Sequence, residues 1–166
     1  MKIVDVQILR VRSVDLDLQD RGSERWIDVV ATIENDSSQT MDIVTSLSGV
    51  AYENETTTLT ISCTGEPLGE SEAVRIHEVG PQLQAVEPNG VVTLGVSVPL
   101  VLHQWHDDGS LGGGIQLVDT SRVRYIRFRV AARASDGPEG VQLSESRVSQ
   151  LTAERTFNRT LPSEPS

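Results

Sequence analysis

Histidine and aspartate residues cluster at one place in the chain, in the run HQWHDD at residues 103–108. Imidazole and carboxylate groups bind divalent cations and act as general bases. A site made of His106, Asp107 and Asp108 would therefore suit a metal-dependent hydrolase or a calcium-dependent carbohydrate binder. His103 and His106 are three residues apart and would point to opposite faces of a strand. Since no third ligand follows at a diagnostic spacing, the favoured interpretation is a solvated strand end.

Two further groups of reactive residues do not complete a known site. Asp15, Asp17 and Asp20 resemble the start of a calcium-binding loop, but glutamine occupies the fifth position and the pattern is broken. Cys63 is in phase with the apolar residues before it, which favours a buried thiol over a nucleophile. Because no Ser/His/Asp or Cys/His arrangement can be assembled, we expect no catalytic residue, no cofactor and no enzyme.

Arginines recur along one stretch of the chain, at Arg122, Arg124, Arg127, Arg129 and Arg133. Residues 121–133 contain no acid and carry +5, which leaves −15 on the rest of a chain whose net charge is −10. A basic strand in an acidic chain attracts carboxylates. The arginines would either pair across strands with acids of the same molecule or contact the acidic surface of another protein.

The composition excludes several classes of function. Lys2 is the only lysine, so a Schiff-base lysine or a phosphate-binding loop further along the chain is excluded. A single cysteine excludes an intrachain disulfide and a cysteine-based zinc site. The net charge of −10 disfavours general nucleic-acid binding. The chain shows no signal-peptide pattern and no run of roughly 18 apolar residues, so we expect a cytoplasmic or virion protein without a membrane partner.

Apolar and polar residues alternate along most of the chain, which predicts β-strands and no convincing helix. About eight short strands separated by turn residues indicate an all-β, antiparallel β-sandwich over residues 1–149. The predicted strands are 4–18, 27–33, 41–47, 57–63, 73–79, 92–102, 115–117 and 123–132, with a possible further strand at 141–143.

Two details of these strands follow from phase and backbone chemistry. The apolar residues of the first strand move from even to odd positions between Ile8 and Leu9, which predicts a bulge or a change of sheet. Pro99 has no N–H to donate, so its strand is expected at a sheet edge or bulged there.

Residues 150–166 are predicted to form a polar C-terminal tail. Leu151, Phe157 and Leu161 are its only large apolar side chains, and such a terminus is ordinarily disordered. If the tail is ordered, a partner subunit would explain it. Phe157 and Leu161 are therefore candidate interaction residues beside the arginines.

Three sequence segments resemble a known family of β-sandwiches. They are IEN at residues 33–35, MDIV at 41–44 and VEPNGVVTLGVSVPL at 86–100. This arrangement resembles immunoglobulin-like and fibronectin-III-like domains of the LEA water-stress type, in which an asparagine-containing hairpin precedes a proline/glycine turn and an alternating valine strand. The resemblance covers roughly residues 26–102. It implies an immunoglobulin-like sandwich that binds or stabilises, and it transfers no catalytic residue.

The sequence thus predicts a non-catalytic structural or accessory subunit that acts through protein contacts or self-association in a larger assembly. A virion or another multisubunit particle of prokaryotic or viral origin would fit. A free-standing, monomeric binding or stress-type module is the alternative. A metal-dependent hydrolase or calcium-dependent carbohydrate binder at residues 103–108 is the third hypothesis.

Overall fold

The structure, a computed structural model, describes residues 1–15, 23–65, 82–106, 114–135 and 151–162. These residues form β-strands and no helix, which confirms the all-β class. The strands are β1 (Lys2–Asp15), β2 (Ser23–Glu34), β3 (Met41–Val44), β4 (Gly49–Glu53), β5 (Thr58–Cys63), β6 (Leu83–Val86), β7 (Val91–Pro99), β8 (Val101–His106), β9 (Gly114–Asp119), β10 (Tyr125–Ala134) and β11 (Leu151–Asn158).

The described residues contain eleven strands, where the sequence suggested eight. The strands that alternation did not reveal are β4, β6 and β11, which are short or polar. The predicted strand at 92–102 is divided at Leu100 into β7 and β8. The predictions at 73–79 and 141–143 lie outside the described residues.

The first sheet, sheet A, has the antiparallel order β1-β2-β7. Inward-facing apolar residues occupy every second position of β2 from Ile27 to Ile33 and of β7 from Val92 to Val98. Among the described residues β7 is one of the two edge strands of sheet A, which confirms the position predicted from Pro99.

The second sheet, sheet B, is built around β10. In the order β4-β5-β10-β3-β6, the pair β5–β10 is parallel and the other pairs are antiparallel. The C-terminal strand β11 pairs antiparallel with β10 along its whole length. Ala132 pairs with Ile43 of β3 and with Leu151 of β11, so β3 and β11 lie at opposite edges of β10.

Sheets A and B share one hydrophobic core, an arrangement consistent with a β-sandwich. The predicted inward residues of β10, Ile126, Phe128 and Val130, are fully buried. They pack in one cluster with apolar residues of β1, β2, β5 and β7. Burial of large apolar side chains is the main stabilising contribution in such a fold.

The irregularity predicted in β1 between Ile8 and Leu9 is confirmed, and the strand contains an earlier one that was not predicted. The register with β2 shifts between Ile8 and Arg10, as predicted, and also between Ile3 and Asp5. The earlier shift adds a residue at Val4, so that Ile3 and Val6 both face the core while Val4 is 41% exposed. A second bulge reverses the phase, and simple alternation from Val4 could not reveal it.

Asn35 fixes the turn between β6 and β7 to the end of β2. Its buried Nδ2 donates to the backbone oxygens of Gln39, Val86 and Glu87 at 2.8, 2.9 and 3.2 Å. Gly90 completes this turn, since a Cβ there would lie 2.8 Å from the Glu87 oxygen. The asparagine of the IEN segment is therefore a structural residue that satisfies buried backbone carbonyls.

The third sheet is the hairpin of β8 and β9. Its base is anchored at Leu100, whose N–H donates to the Arg25 oxygen and whose oxygen accepts from the Thr120 N–H, both at 2.8 Å. The N–H of Tyr52 in β4 donates to Oε1 of Gln104 in β8 at 3.1 Å. We refer to the residues of β8 and β9 as the β8–β9 arm.

Candidate functional site

Two arginines of the basic strand pair with an acid of the same molecule. Arg127 and Arg129 on β10 lie with Nε 3.7 and 3.1 Å from the carboxylate of Glu154 on β11. Glu154 is the cross-strand partner of Arg129 in the β10–β11 register. All three side chains are partly exposed, so the pairs are screened by solvent and each contributes little to stability.

The other predicted arginines are distributed along the same stretch. Arg133 Nε lies 3.8 Å from Asp42 of β3, its register partner. Arg122 and Arg124 are exposed in the turn before β10, and the Arg124 N–H donates to the Thr57 oxygen at 3.0 Å. The structure thus pairs Arg127, Arg129 and Arg133 within the chain, as the cross-strand alternative predicts.

The C-terminal segment packs on the sandwich as strand β11. Phe157 and Leu161 are partly buried against the core, and Phe157 lies opposite Ile126 of β10. The guanidinium groups of Arg155 and Arg159 lie 5.0 and 5.8 Å from the Phe157 ring centroid. Contacts within the chain therefore hold residues 151–161 against the sandwich.

Both arginines beside Phe157 also bind β1. Arg155 Nη1 donates to the Ile3 oxygen at 3.0 Å, and Arg159 Nε donates to the Val6 oxygen at 2.6 Å. Arg159 Nη2 also donates to the Asp5 carboxylate at 2.6 Å. These hydrogen bonds join the edge of sheet A to the edge of sheet B. They form because the N-terminal strand β1 lies beside the C-terminal strand β11, and the sequence pattern does not show that these two strands are neighbours.

Of the predicted metal residues His106, Asp107 and Asp108, the structure describes only the backbone of His106. His103 is exposed on β8, and the backbone of His106 ends β8 opposite Gly114. The side chain of His106 and the whole of Asp107 and Asp108 lie outside the described residues. The residues that are described contain no group of three histidine, cysteine or acidic side chains arranged to hold a metal ion.

Cys63 is a buried thiol, as its phase in β5 predicts. Its side chain is fully buried, and burial raises the pKa of the thiol to about 12. A buried thiol is protonated at neutral pH and is a poor nucleophile.

An ionic cluster on the outer face of sheet A was not predicted. Arg10 Nε and Arg12 Nε donate to Asp28 at 2.7 and 3.0 Å, and Ser97 Oγ donates to the same carboxylate at 2.7 Å. These hydrogen bonds, with that from Arg10 the largest contribution, lower the pKa of Asp28 to about 2. The cluster ties β1, β2 and β7 together. The cluster depends on the bulge at Leu9, because the register after that bulge places Arg10 opposite Asp28.

The β8–β9 arm has one face that is partly buried and an opposite face that is exposed. Leu102 and Val118 face the core. The opposite face carries Val101, Ile115 and Leu117, which are 40%, 69% and 63% exposed, together with the exposed His103 and Asp119, which pair with Leu117 and Val101. Gln116 is exposed as well, so residues 114–117 are open to solvent on both faces. Sequence alternation identified Ile115 and Leu117 as a strand, but it could not show that their face is directed away from the core.

Large apolar side chains exposed side by side in a strand are typical of surfaces that contact other proteins. A two-stranded ribbon is marginally stable alone and gains stability when a further strand or surface covers its apolar face. The arm is therefore the strongest candidate for a functional surface among the described residues.

Comparison with known proteins gives no match to a protein family, to a curated protein or to a solved structure. Within the described part of the chain, no helix is long and apolar enough to cross a membrane.

Proposed function

We propose that the protein is a non-catalytic structural or accessory subunit that acts through protein–protein contacts in a larger assembly, such as a virion or another multisubunit particle. The observation that carries the proposal is the exposed apolar face of the β8–β9 arm, formed by Val101, Ile115 and Leu117. The basic strand is a weaker candidate for the contact, since acids of the same chain already pair with three of its arginines.

We also propose that the sandwich is immunoglobulin-like. The strand order supports this, because β1, β2 and β7 would take the places of strands A, B and E, and β3, β10 and β11 those of C, F and G. In this assignment the β8–β9 arm is an insertion between the E-like and F-like strands. Insertions on a rigid scaffold are common places for binding surfaces, which supports a role for the arm in contacts.

The strand order equally suits the alternative of a free-standing, monomeric binding or stress-type module. Such a module would use its loops and would leave the arm unpartnered. The third hypothesis, a metal-dependent hydrolase or calcium-dependent carbohydrate binder at residues 103–108, depends on His106, Asp107 and Asp108, whose side chains lie outside the described residues. An exposed apolar face costs solubility unless it is used, and this favours the subunit over the monomeric module.

Site-specific photo-crosslinking tests the proposed function. A photoreactive amino acid at Leu117 in the full chain, irradiated in cells that produce the protein, is expected to form covalent protein adducts. The matched control is the same probe at Leu9, a leucine of similar exposure on sheet A. Adducts at Leu117 but not at Leu9 support the proposal. Equal adducts at both positions, or none at either, would overturn it.

A further inference from the structure

We propose that the partner of the β8–β9 arm is a second copy of this chain, whose β9 pairs antiparallel with β9 to form a continuous four-stranded sheet. This inference rests on the proposed function and names the partner of the same surface. Three features of β9 support it. They are its edge away from β8, the pairing of its residues about a two-fold axis, and its charge.

In the part of the chain that the structure describes, the edge of β9 away from β8 lacks the features that usually prevent pairing with another strand. Within the described residues β9 pairs with β8 on one side and with no strand on the other. Natural proteins protect such edges with lysine, proline or a bulge. The six residues of β9, GIQLVD, include neither lysine nor proline, and the register with β8 runs without a shift. The outward N–H and C=O groups of β9 are thus a template for another strand.

The sequence of β9 is self-complementary about Gln116. In an antiparallel pair with its two-fold axis at Gln116, Ile115 lies opposite Leu117 of the second copy, and the same pair recurs on the other side of the axis. The two glutamines face each other and are able to exchange amide hydrogen bonds. Val118 lies opposite Gly114, where an added Cβ would meet no atom within 4 Å. Both apolar pairs would lose exposed area on pairing.

The charge of β9 itself does not oppose contact between two copies at this strand. Each chain carries a net charge of −10, so two copies repel each other at long range. Asp119 is the only ionisable residue of β9, and it lies at the end of the strand, away from the two-fold axis. No two like charges are brought opposite each other. Salt screens the long-range repulsion, so the dimer should become stronger as salt increases.

The small size of the β9–β9 contact limits the affinity of the dimer. Six residues of β9 per copy are few beside the roughly 20–30 residues per side of a standard stable interface. We therefore expect a weak dimer that dissociates on dilution. Such a contact suits an assembly in which many copies or additional neighbours act together.

Sedimentation equilibrium over a range of protein concentrations, at low and high salt, tests the inference. The wild-type chain and the control Leu9→Lys should dimerise with rising concentration, and more strongly at high salt. Leu117→Lys should dimerise at least about tenfold more weakly, because each copy would place a lysine ammonium group opposite Ile115 of the other copy. Equal behaviour of the three proteins, or a dimer that salt weakens, would overturn the inference.

Disulfide trapping gives an independent readout. Gln116→Cys places two cysteines opposite each other at the axis, within reach of a disulfide. The native Cys63 is fully buried and does not interfere. The control is Thr93→Cys, an exposed position on the edge strand β7. Covalent dimers from Gln116→Cys but not from Thr93→Cys support the pairing, and equal amounts from both would overturn it.

The two proposals can fail separately. If the photoreactive probe at Leu117 captures only a different protein and the wild-type chain stays monomeric at every concentration, the second copy is overturned and the proposed function stands. If the probe captures nothing and the chain stays monomeric, both are overturned.

Discussion

Arg129 on β10 lies directly opposite Glu154 on β11, with Nε 3.1 Å from Oε2. This pair shows how a basic strand in an acidic chain is balanced from within the molecule. The acid belongs to the C-terminal segment, so the two features that sequence analysis considered for contacts with a partner, the basic strand and this segment, meet each other. The surface that we propose for contact with a partner is the β8–β9 arm.

The pair at Glu154 should contribute little to stability. Glu154→Gln removes the carboxylate that both Arg127 and Arg129 approach, and both arginine side chains keep access to water. We expect the free energy of unfolding to fall by roughly 0.2–1 kcal/mol, as for other exposed pairs. Urea denaturation measures this, and a loss several times larger would show that the pair acts as a buried one.

The Asp28 cluster should make stability depend on pH in acid. The pKa of Asp28 is about 2 in the folded protein, whereas the ordinary value for an aspartate outside the fold is 3.8. A lowered folded pKa contributes stability that is complete above pH 3.8 and is lost as the pH falls towards 2. The loss for this carboxyl should be about 1–2 kcal/mol, less than the full shift implies because Arg10 is well exposed.

Asp28→Asn is the matched variant for this pH dependence. It should lower stability at pH 7 and flatten the decline between pH 4 and pH 2 relative to wild type, as measured by denaturant unfolding at each pH. A variant with an unchanged acid profile would show that other carboxyls control the transition.

The C-terminal strand should stabilise the sandwich through Phe157. Phe157→Ala removes a partly buried ring that packs on the core and contacts two arginines, and should cost roughly 1–3 kcal/mol, below the value for a fully buried phenylalanine. Thr156→Ala, an exposed neighbour on the same strand, should change stability by no more than about 0.5 kcal/mol. Equal effects of the two substitutions in thermal or urea unfolding would mean that β11 is not docked in solution.

Cys63 should resist thiol reagents in the native protein. Its pKa is raised to about 12 by burial, so little thiolate forms at pH 8. Reaction with a chromogenic disulfide should follow the rate of unfolding and become fast only in denaturant. Thr93→Cys provides an exposed thiol for comparison. Rapid labelling of native Cys63 would contradict its burial in β5.

Local alternation predicted the strands that are buried on one regular face. Val92, Leu94, Val96 and Val98 lie inward on β7 as expected, and Ile126, Phe128 and Val130 do so on β10. Period two is sufficient there because each strand keeps one phase against one core. Where a bulge intervenes, as at Val4, the phase changes without any signal in the neighbouring residues.

The partners of the candidate residues could not be predicted, because they depend on long-range register. Glu154 meets Arg129 only because residue 151 pairs with residue 132, and Asp28 meets Arg10 only after the bulge at Leu9. Ile115 and Leu117 posed a different problem. Alternation gives two faces of a strand, but only the packing of Leu102 and Val118 on the core decides which face of the arm is open.

The most direct test of the central claim compares two double variants of the full chain by light scattering coupled to size-exclusion chromatography, at high protein concentration. One variant is Ile115→Lys with Leu117→Lys, on the arm, and the other is Arg127→Glu with Arg129→Glu, on the basic strand. Circular dichroism confirms that each is folded before the comparison. We predict that the arm variant loses association and that the basic-strand variant keeps it. Association that survives in the arm variant and disappears in the basic-strand variant would contradict the account.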